Sequence, residues 1–297
     1  MSTTDRIESA PCQPAPGDRG PRRSRRPVIM KWVVFALMLV ASLLVLLPFA
    51  WMIISSLKQD SRVFTVPVQW IPDPVQWDNY LRIWTRVPFL SYLGNSLILA
   101  VVITALQLLT GSMAAYGFSK IHFPGRNALF VAYISTIAVP WTTYMIPQYI
   151  MVRNLHLSNT LWSLILLQAF SAFGVFLMRQ YYVSIPDDLC EAARLDGLSE
   201  HGIWWRIIMP LTKPALASLG MLTFVNTWND YMGPFIYLTS NSNWTVQLGL
   251  RSLIGMYDSY YALIMCGSVI SVLPILVVFI IGQRYFIEGI ATQGMKG

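Results

Sequence analysis

Two groups of residues in this 297-residue chain have types and spacing that suit chemistry. The first lies in a polar segment, about 182–212. There Glu191-Ala192-Ala193 is followed, after three residues, by Gly197, and then, after nine, by Ile207-Ile208-Met209-Pro210. Small alanines let another protein surface approach closely, Glu191 offers it a charge, and Gly197, just after Asp196, permits a sharp turn. That is the chemistry of recognition. The second group lies inside apolar stretches: Tyr144, Gln148, Gln168, Asn226, Thr227, Trp228, Asn229 and Tyr231, with one carboxylate, Asp230. These side chains exchange hydrogen bonds and ring contacts with a polar solute. Asp230 has two readings of equal weight, a functional carboxylate or a helix-to-helix hydrogen bond that sets packing.

Neither group makes or breaks bonds. His122, His156 and His201 are scattered over different loops, and Asp230 has no acidic partner nearby. Cys12, Cys190 and Cys266 fit no metal or disulfide pattern. Cys190 is expected to face a reducing cytoplasm, and Cys266 to sit in lipid or helix packing. No Gly-rich nucleotide loop occurs, so the chain is not expected to hydrolyse ATP unaided. A membrane-embedded enzyme would need paired acids or a histidine cluster.

The elements that carry these residues are membrane spans. The chain is 55% apolar and 12% charged, against roughly 25% charged in soluble domains. A spanning helix takes about 20 apolar residues. Uncharged windows predict six spans at about 32–54, 92–116, 128–150, 160–179, 214–238 and 262–283. Six spans place both termini on one side. With the termini in the cytoplasm, inner segments hold fifteen of the 21 lysines and arginines, which favours that orientation. Much of the margin comes from Arg22-Arg23-Ser24-Arg25-Arg26, in an arm over 1–30 that reads as a disordered cytoplasmic tail. Its basic cluster suits anionic lipid; nucleic acid is the poorer reading of a net charge of +7 concentrated there. Residues 31–297 form the transmembrane domain.

The first outer loop, about 57–90, holds Trp70, Trp77 and Trp84 among several prolines, which argue against a long helix. These tryptophans suit headgroup anchoring or, less well, a docking surface. Pro48, Pro140, Pro147, Pro234 and Pro274 fall inside spans and suggest bent helices around a pathway. Gly94, Gly111 and Gly117 allow close helix contact on the second span. In the polar segment, Pro186 suits a first helical turn, with Ser184 or Ile185 as the cap. Leu189, Ala192 and Ala193 share one face. Gly197 stops that helix, and Ser199 caps a second that runs to Pro210. Trp204 and Trp205 suit that second helix to lying against the membrane.

The spacing of Glu191-Ala192-Ala193, Gly197, Ile207 and Met209-Pro210 resembles the signature of ATP-binding-cassette importer permeases, with Met209 where the family has leucine. Ser55-Ser56-Leu57-Lys58, Asn79-Tyr80, Asn95-Ser96-Leu97, Trp228-Asn229-Asp230 and Gln283-Arg284-Tyr285-Phe286 are similar to its carbohydrate-uptake, maltose-permease-like branch, as are Gly289 and the ending Gly294-Met295-Lys296-Gly297. The resemblance covers nearly the whole chain. It implies an all-α, six-helix type I importer permease in a bacterial cytoplasmic (inner) membrane. It implies a second homologous permease subunit, two copies of a cytoplasmic ATPase that bind ATP and Mg, and an extracytoplasmic sugar-binding protein. Glu191, Ala192, Ala193, Asp196, Gly197 and Pro210 become the contacts that couple to the ATPase, with a lesser contact near Lys120 to Arg126. Tyr144, Gln168, Asn226, Asn229 and Asp230 become candidates for the sugar path. A permease for glycerol phosphate or another small polar solute is the alternative. A proton-coupled secondary transporter fits worse, since six spans without an internal repeat are few for that class.

Overall fold

The computed structural model describes residues 28–255 and 259–294, and side chains over 30–255 and 259–284. The basic arm over 1–27 and the ending Met295–Gly297 lie outside the described residues. Two compact units divide the chain, one ending at Phe49 and one beginning at Ala50. In the first, helix α1 (Val28–Ser56) starts, and every side chain from Met30 to Phe49 is exposed. A helix that is apolar on all sides suits lipid rather than water.

The second unit is all-α among the described residues, with only an isolated bridge between Ile254 and Ser259. After α1 come α2 (Asn79–Arg86) and the 32-residue α3 (Phe89–Lys120). Then follow α4 (Arg126–Ser135), α5 (Trp141–Asn154), α6 (Leu161–Gln168) and α7 (Ala172–Val183). The polar segment forms α8 (Asp188–Leu195), α9 (Glu200–Ile203), a π-turn at Trp204–Ile208 and α10 (Met209–Leu211). The chain ends with α11 (Lys213–Trp228), α12 (Met232–Tyr237), α13 (Val246–Ser252) and α14 (Tyr261–Gly294).

Four stretches are long and apolar enough to cross a membrane, and up to six if each of two bent pairs is one span. The predicted third span, 128–150, is broken. Arg126–Ala138 and Trp141–Asn154 meet at 97°. Pro140 is the cause: it has no N–H to donate and forces Val139 out of the helical region, to φ −85°, ψ 114°. The predicted fifth span, 214–238, ends early at Trp228, and Asn229–Tyr231 separates it from α12. Pro48, Pro147 and Pro274 lie inside uninterrupted helices.

Helix α3 is the central element of the second unit. Helix α7 passes close to α3 at Gly111, where a Cβ would sit 3.5 Å from the backbone of Gly174, an ordinary contact. Gly94 and Gly117 have nothing within 4 Å, so the predicted close contacts do not form at those two positions. The largest core joins α3, α4, α7, the polar segment and α11 through Ala115, Phe130, Met178, Ile203 and Leu219.

The motifs flanking the spans act as pins. The Asn79 carboxamide donates to the carbonyls of Ser56 and Lys58, and the hydroxyls of Ser56 and Tyr80 share a 2.8 Å bond. Asn95 donates to the carbonyls of Ser242 and Trp244, and Ser96 accepts from the Val246 N–H. Trp228 donates to the Ser271 carbonyl from a site 1% exposed. In the segment over 57–90 Trp70, Trp77 and Trp84 are all exposed.

Candidate functional site: the polar loop and the Asp230 cavity

The polar loop presents one helix on a rigid backing. Helix α8 begins two or three residues later than its sequence suggests, with Asp187 at the cap position and Pro186 outside the helix. The Asp187 side chain does not cap, because Lys120 takes it. Lys120 Nζ lies 2.5 Å from Asp187 Oδ1 and donates also to the Ile185 carbonyl. That bond holds the Asp187 carboxyl below its ordinary value. Lys120 is buried, so it braces the loop from within.

A second brace lies at the far end of α8. Arg194 Nε donates to Glu200 Oε1 at 2.7 Å, and the Tyr116 hydroxyl donates to Glu200 Oε2 at 2.6 Å. Both braces therefore run from the loop to the last turns of α3.

Between them, α8 turns one face inward and one outward. Cys190 and Ala193 are buried against the core, which pushes the Cys190 thiol up from its ordinary value. The expectation that Cys190 faces the cytoplasm is thus corrected, because it packs inward at i, i+3 spacing with Ala193. Cys266, by contrast, sits in helix packing as anticipated. The predicted shared face of Leu189, Ala192 and Ala193 also divides. Leu189, Glu191, Ala192 and Asp196 are exposed, and Leu195 is 89% exposed.

Gly197 ends the helix as the sequence predicts. Its φ is +80°; its N–H bonds to the Arg194 carbonyl, and the Leu198 N–H reaches back to Ala193. This is a Schellman closure, which favours glycine at the left-handed position. Ser199 caps α9 by accepting from the Gly202 N–H. Pro210 does not stop the second helix, which continues through it to Leu211. A proline ring collides with the carbonyl four residues back. The π-turn before it widens the coil by one residue, with the Met209 N–H bonded to Trp204. The break falls instead at Thr212, and the helices on either side differ by 83°. Trp204 packs inward and Trp205 outward, so only one of the two is available to a membrane surface.

The second site is a cavity of about 400 Å³ lined by Trp141, Tyr144, Gln148, Gln168, Ser171 and Asp230, among others. A neighbouring cavity of about 330 Å³ includes Thr223, Asn226 and Thr227 and shares Gln107, Gln168, Ser171 and Asp230 with the first. Four of the five predicted path residues thus converge: Tyr144, Gln168 and Asp230 in one cavity, and Asn226 in its neighbour. Asn229 does not line either; it is exposed and accepts from Gln247.

Asp230 makes the helix-to-helix hydrogen bond of its packing reading and also lines both cavities. Its Oδ2 accepts from Gln168 Nε2 at 3.0 Å, joining the α11–α12 break to the end of α6. Its Oδ1 accepts from the Gly233 N–H at 3.1 Å. The same carboxylate lines both cavities. Gln107 completes the wall, donating to the Gln168 carbonyl at 2.7 Å and accepting from the Thr223 hydroxyl at 3.1 Å. Sequence reading passed over Gln107, although an amide alone in the middle of an apolar span was a usable signal. Gln148 Oε1 accepts from Trp141 Nε1 at 2.9 Å and from the Tyr237 hydroxyl at 3.1 Å, fixing the opposite wall.

Comparison with known proteins agrees with this architecture. Residues 107–291 match the family model described as "Binding-protein-dependent transport system inner membrane component". The arabinooligosaccharides transport system permease protein AraQ of Bacillus subtilis is 36% identical over 262 residues, 87% of this chain and 93% of that protein. Its namesake in Halalkalibacterium halodurans is 32% identical over 91% of this chain and 98% of its own length. The sn-glycerol-3-phosphate transport system permease protein UgpE of Yersinia pestis is 31% identical over 86% of this chain and 94% of that protein. A crystal structure of a bacterial ABC transporter involved in import of the acidic polysaccharide alginate superposes with a TM-score of 0.77 at 25% identity. The match covers 90% of this chain and all of that one. The chain belongs to the family of inner-membrane components of binding-protein-dependent transport systems.

Proposed function

We propose that this chain is the permease subunit of an ATP-driven importer of sugars, forming half of the translocation path and coupling to a cytoplasmic ATPase through α8. The observation that carries the coupling is the outward row of Leu189, Glu191, Ala192 and Leu195. Exposed leucines and a small alanine around one carboxylate, fixed on a buried backing, form a surface suited to a protein partner. Its braces to α3 give a push on α8 a rigid route into the helix that also carries Gln107 at the cavity.

The sugar reading rests on the convergence of amides, one carboxylate and aromatic rings on the two cavities. It accords with the carbohydrate named for two of the relatives. In this reading the chain works with a second homologous permease, two copies of the ATPase and an extracytoplasmic sugar-binding protein. ATP and Mg belong to the ATPase subunits, and this chain has no ATPase site of its own. It spans the bacterial inner membrane six times with both termini in the cytoplasm, and the two bent pairs count as one span each.

The test is Glu191→Lys, which reverses the charge on the outward face without touching the core. The variant reaches the membrane in normal amount, loses ATP-dependent sugar uptake and no longer retains the ATPase on purification. Normal uptake together with normal ATPase retention would refute coupling through α8.

A further inference from the structure

We infer that the Asp230 cavity excludes anions, so the sugar that passes this chain is uncharged rather than phosphorylated or a uronic acid. The inference rests on the sugar-path reading above and narrows it to one chemical class. It departs from the anionic solutes named for two relatives, sn-glycerol 3-phosphate and alginate.

The first argument is charge. Among the described residues no lysine, arginine or histidine lines either cavity, and Asp230 is the one acidic side chain in both. A phosphate or carboxylate removed from water requires a cation or a dense set of donors in its place. Here it meets a carboxylate instead, and like charges repel.

The second argument is the direction of the free hydrogen bonds. Both Asp230 oxygens already accept one N–H, from Gln168 and Gly233, and each retains capacity for another donor. A sugar hydroxyl supplies that donor. A phosphate or carboxylate oxygen only accepts, so it faces Asp230 acceptor to acceptor. On the opposite wall the Gln148 carbonyl oxygen is occupied by Trp141 and Tyr237. Its amide N–H groups remain to donate to a hydroxyl oxygen. Trp141 and Tyr144 add ring faces to the same wall, and the C–H face of a sugar packs on such rings. A neutral polyol, which both donates and accepts, satisfies every one of these groups.

The test measures the field in the cavity directly. Tyr144→Cys is placed in a chain whose Cys12, Cys190 and Cys266 are replaced by alanine, within the assembled transporter in membrane vesicles. Its rate of modification is measured with a cationic (aminoethyl) and an anionic (sulfonatoethyl) methanethiosulfonate, each normalised to its rate with 2-mercaptoethanol. The expected result is a cationic preference of roughly tenfold, which falls to near parity when Asp230→Asn is added. Asn226→Cys reports the same ratio from the neighbouring cavity and serves if Tyr144→Cys fails to assemble. Equal normalised rates, or a preference that survives Asp230→Asn, overturns the exclusion of anions and leaves the path reading standing. Failure of both reagents to reach either cysteine in the assembled transporter removes the path reading itself, and this inference with it.

Discussion

Lys120 and Asp187 lie 67 residues apart in the chain and meet at 2.5 Å, tying the last residue of α3 to the start of α8. The two partners are unequal: the Lys120 side chain is 2% exposed and the Asp187 side chain 59%. Their removal therefore has unequal effects. Asp187→Asn leaves the Lys120 ammonium bonded to the Ile185 carbonyl and puts an amide oxygen in place of the carboxylate, so it costs less than loss of the lysine. Lys120→Ala removes both bonds and empties the volume of a buried stem, at about 2–3 kcal/mol. Thermal unfolding of the purified transporter checks this order. Equal losses from the two variants would mean that the pair acts only as a surface contact.

The same pair sets a pH dependence with a definite sign. The Asp187 carboxyl is held down in the folded chain by the hydrogen bond from Lys120. A depressed carboxyl contributes stability above its unfolded pKa, about 3.9. That stability is lost as pH falls through the lower folded value. Uptake measured from pH 7 to pH 5 is therefore expected to be no more pH-sensitive in wild type than in Asp187→Asn. The difference in melting temperature between the two narrows only below about pH 4. A wild-type advantage that already disappears by pH 6 would assign the dependence to another group.

Gly197 separates backbone conformation from contact. Its φ of +80° is left-handed, yet a Cβ there would meet nothing within 4 Å. The demand is conformational, so Asn, which tolerates that region, is expected to preserve most uptake. Val is expected to cost about 1–2 kcal/mol in the loop and to abolish uptake while the chain still inserts. Vesicle uptake by both variants checks this. Equal failure of Asn and Val would show that the ATPase itself requires the bare glycine.

How much of this was legible follows from the range of each interaction. Gly197, Ser199 and the helix before them are set by neighbours within a few residues, so spacing revealed them. The point where α8 starts was misplaced, because Asp187 is drawn away by a lysine from another helix. The bends were not legible from charge-free windows. Such a window continues through Pro140, since hydropathy records composition and carries no direction, and the fifth span was carried past Asp230 because apolar residues resume after it. Asp230 was found because a lone acid in an apolar stretch stands out. Its partners Gln168 and Gly233 assign its geometry, and the Gln107–Thr223 link depends on α3 and α11 meeting, which no local pattern encodes. The pairing of Tyr116 and Arg194 with Glu200 was hidden for the same reason.

Gly233 is the residue that lets Asp230 stay in place. A Cβ at 233 would fall 2.5 Å from Asp230 Oδ2 and 3.0 Å from a Leu164 methyl. Gly233→Ala therefore displaces the carboxylate from Gln168 and strains the junction of α11 and α12, at about 1–3 kcal/mol for overpacking. Uptake is expected to fall at least as far as stability does. Asp230→Ser shortens the obstructing side chain, so Gly233→Ala added to Asp230→Ser costs little further stability, a coupling that a double-mutant cycle measures. Uptake, however, stays low in the double variant, because the carboxylate that faces the solute is gone. The melting temperature recovers and transport does not, and that split distinguishes a carboxylate serving the path from one that only fastens helices. Recovery of both would assign Asp230 to packing alone.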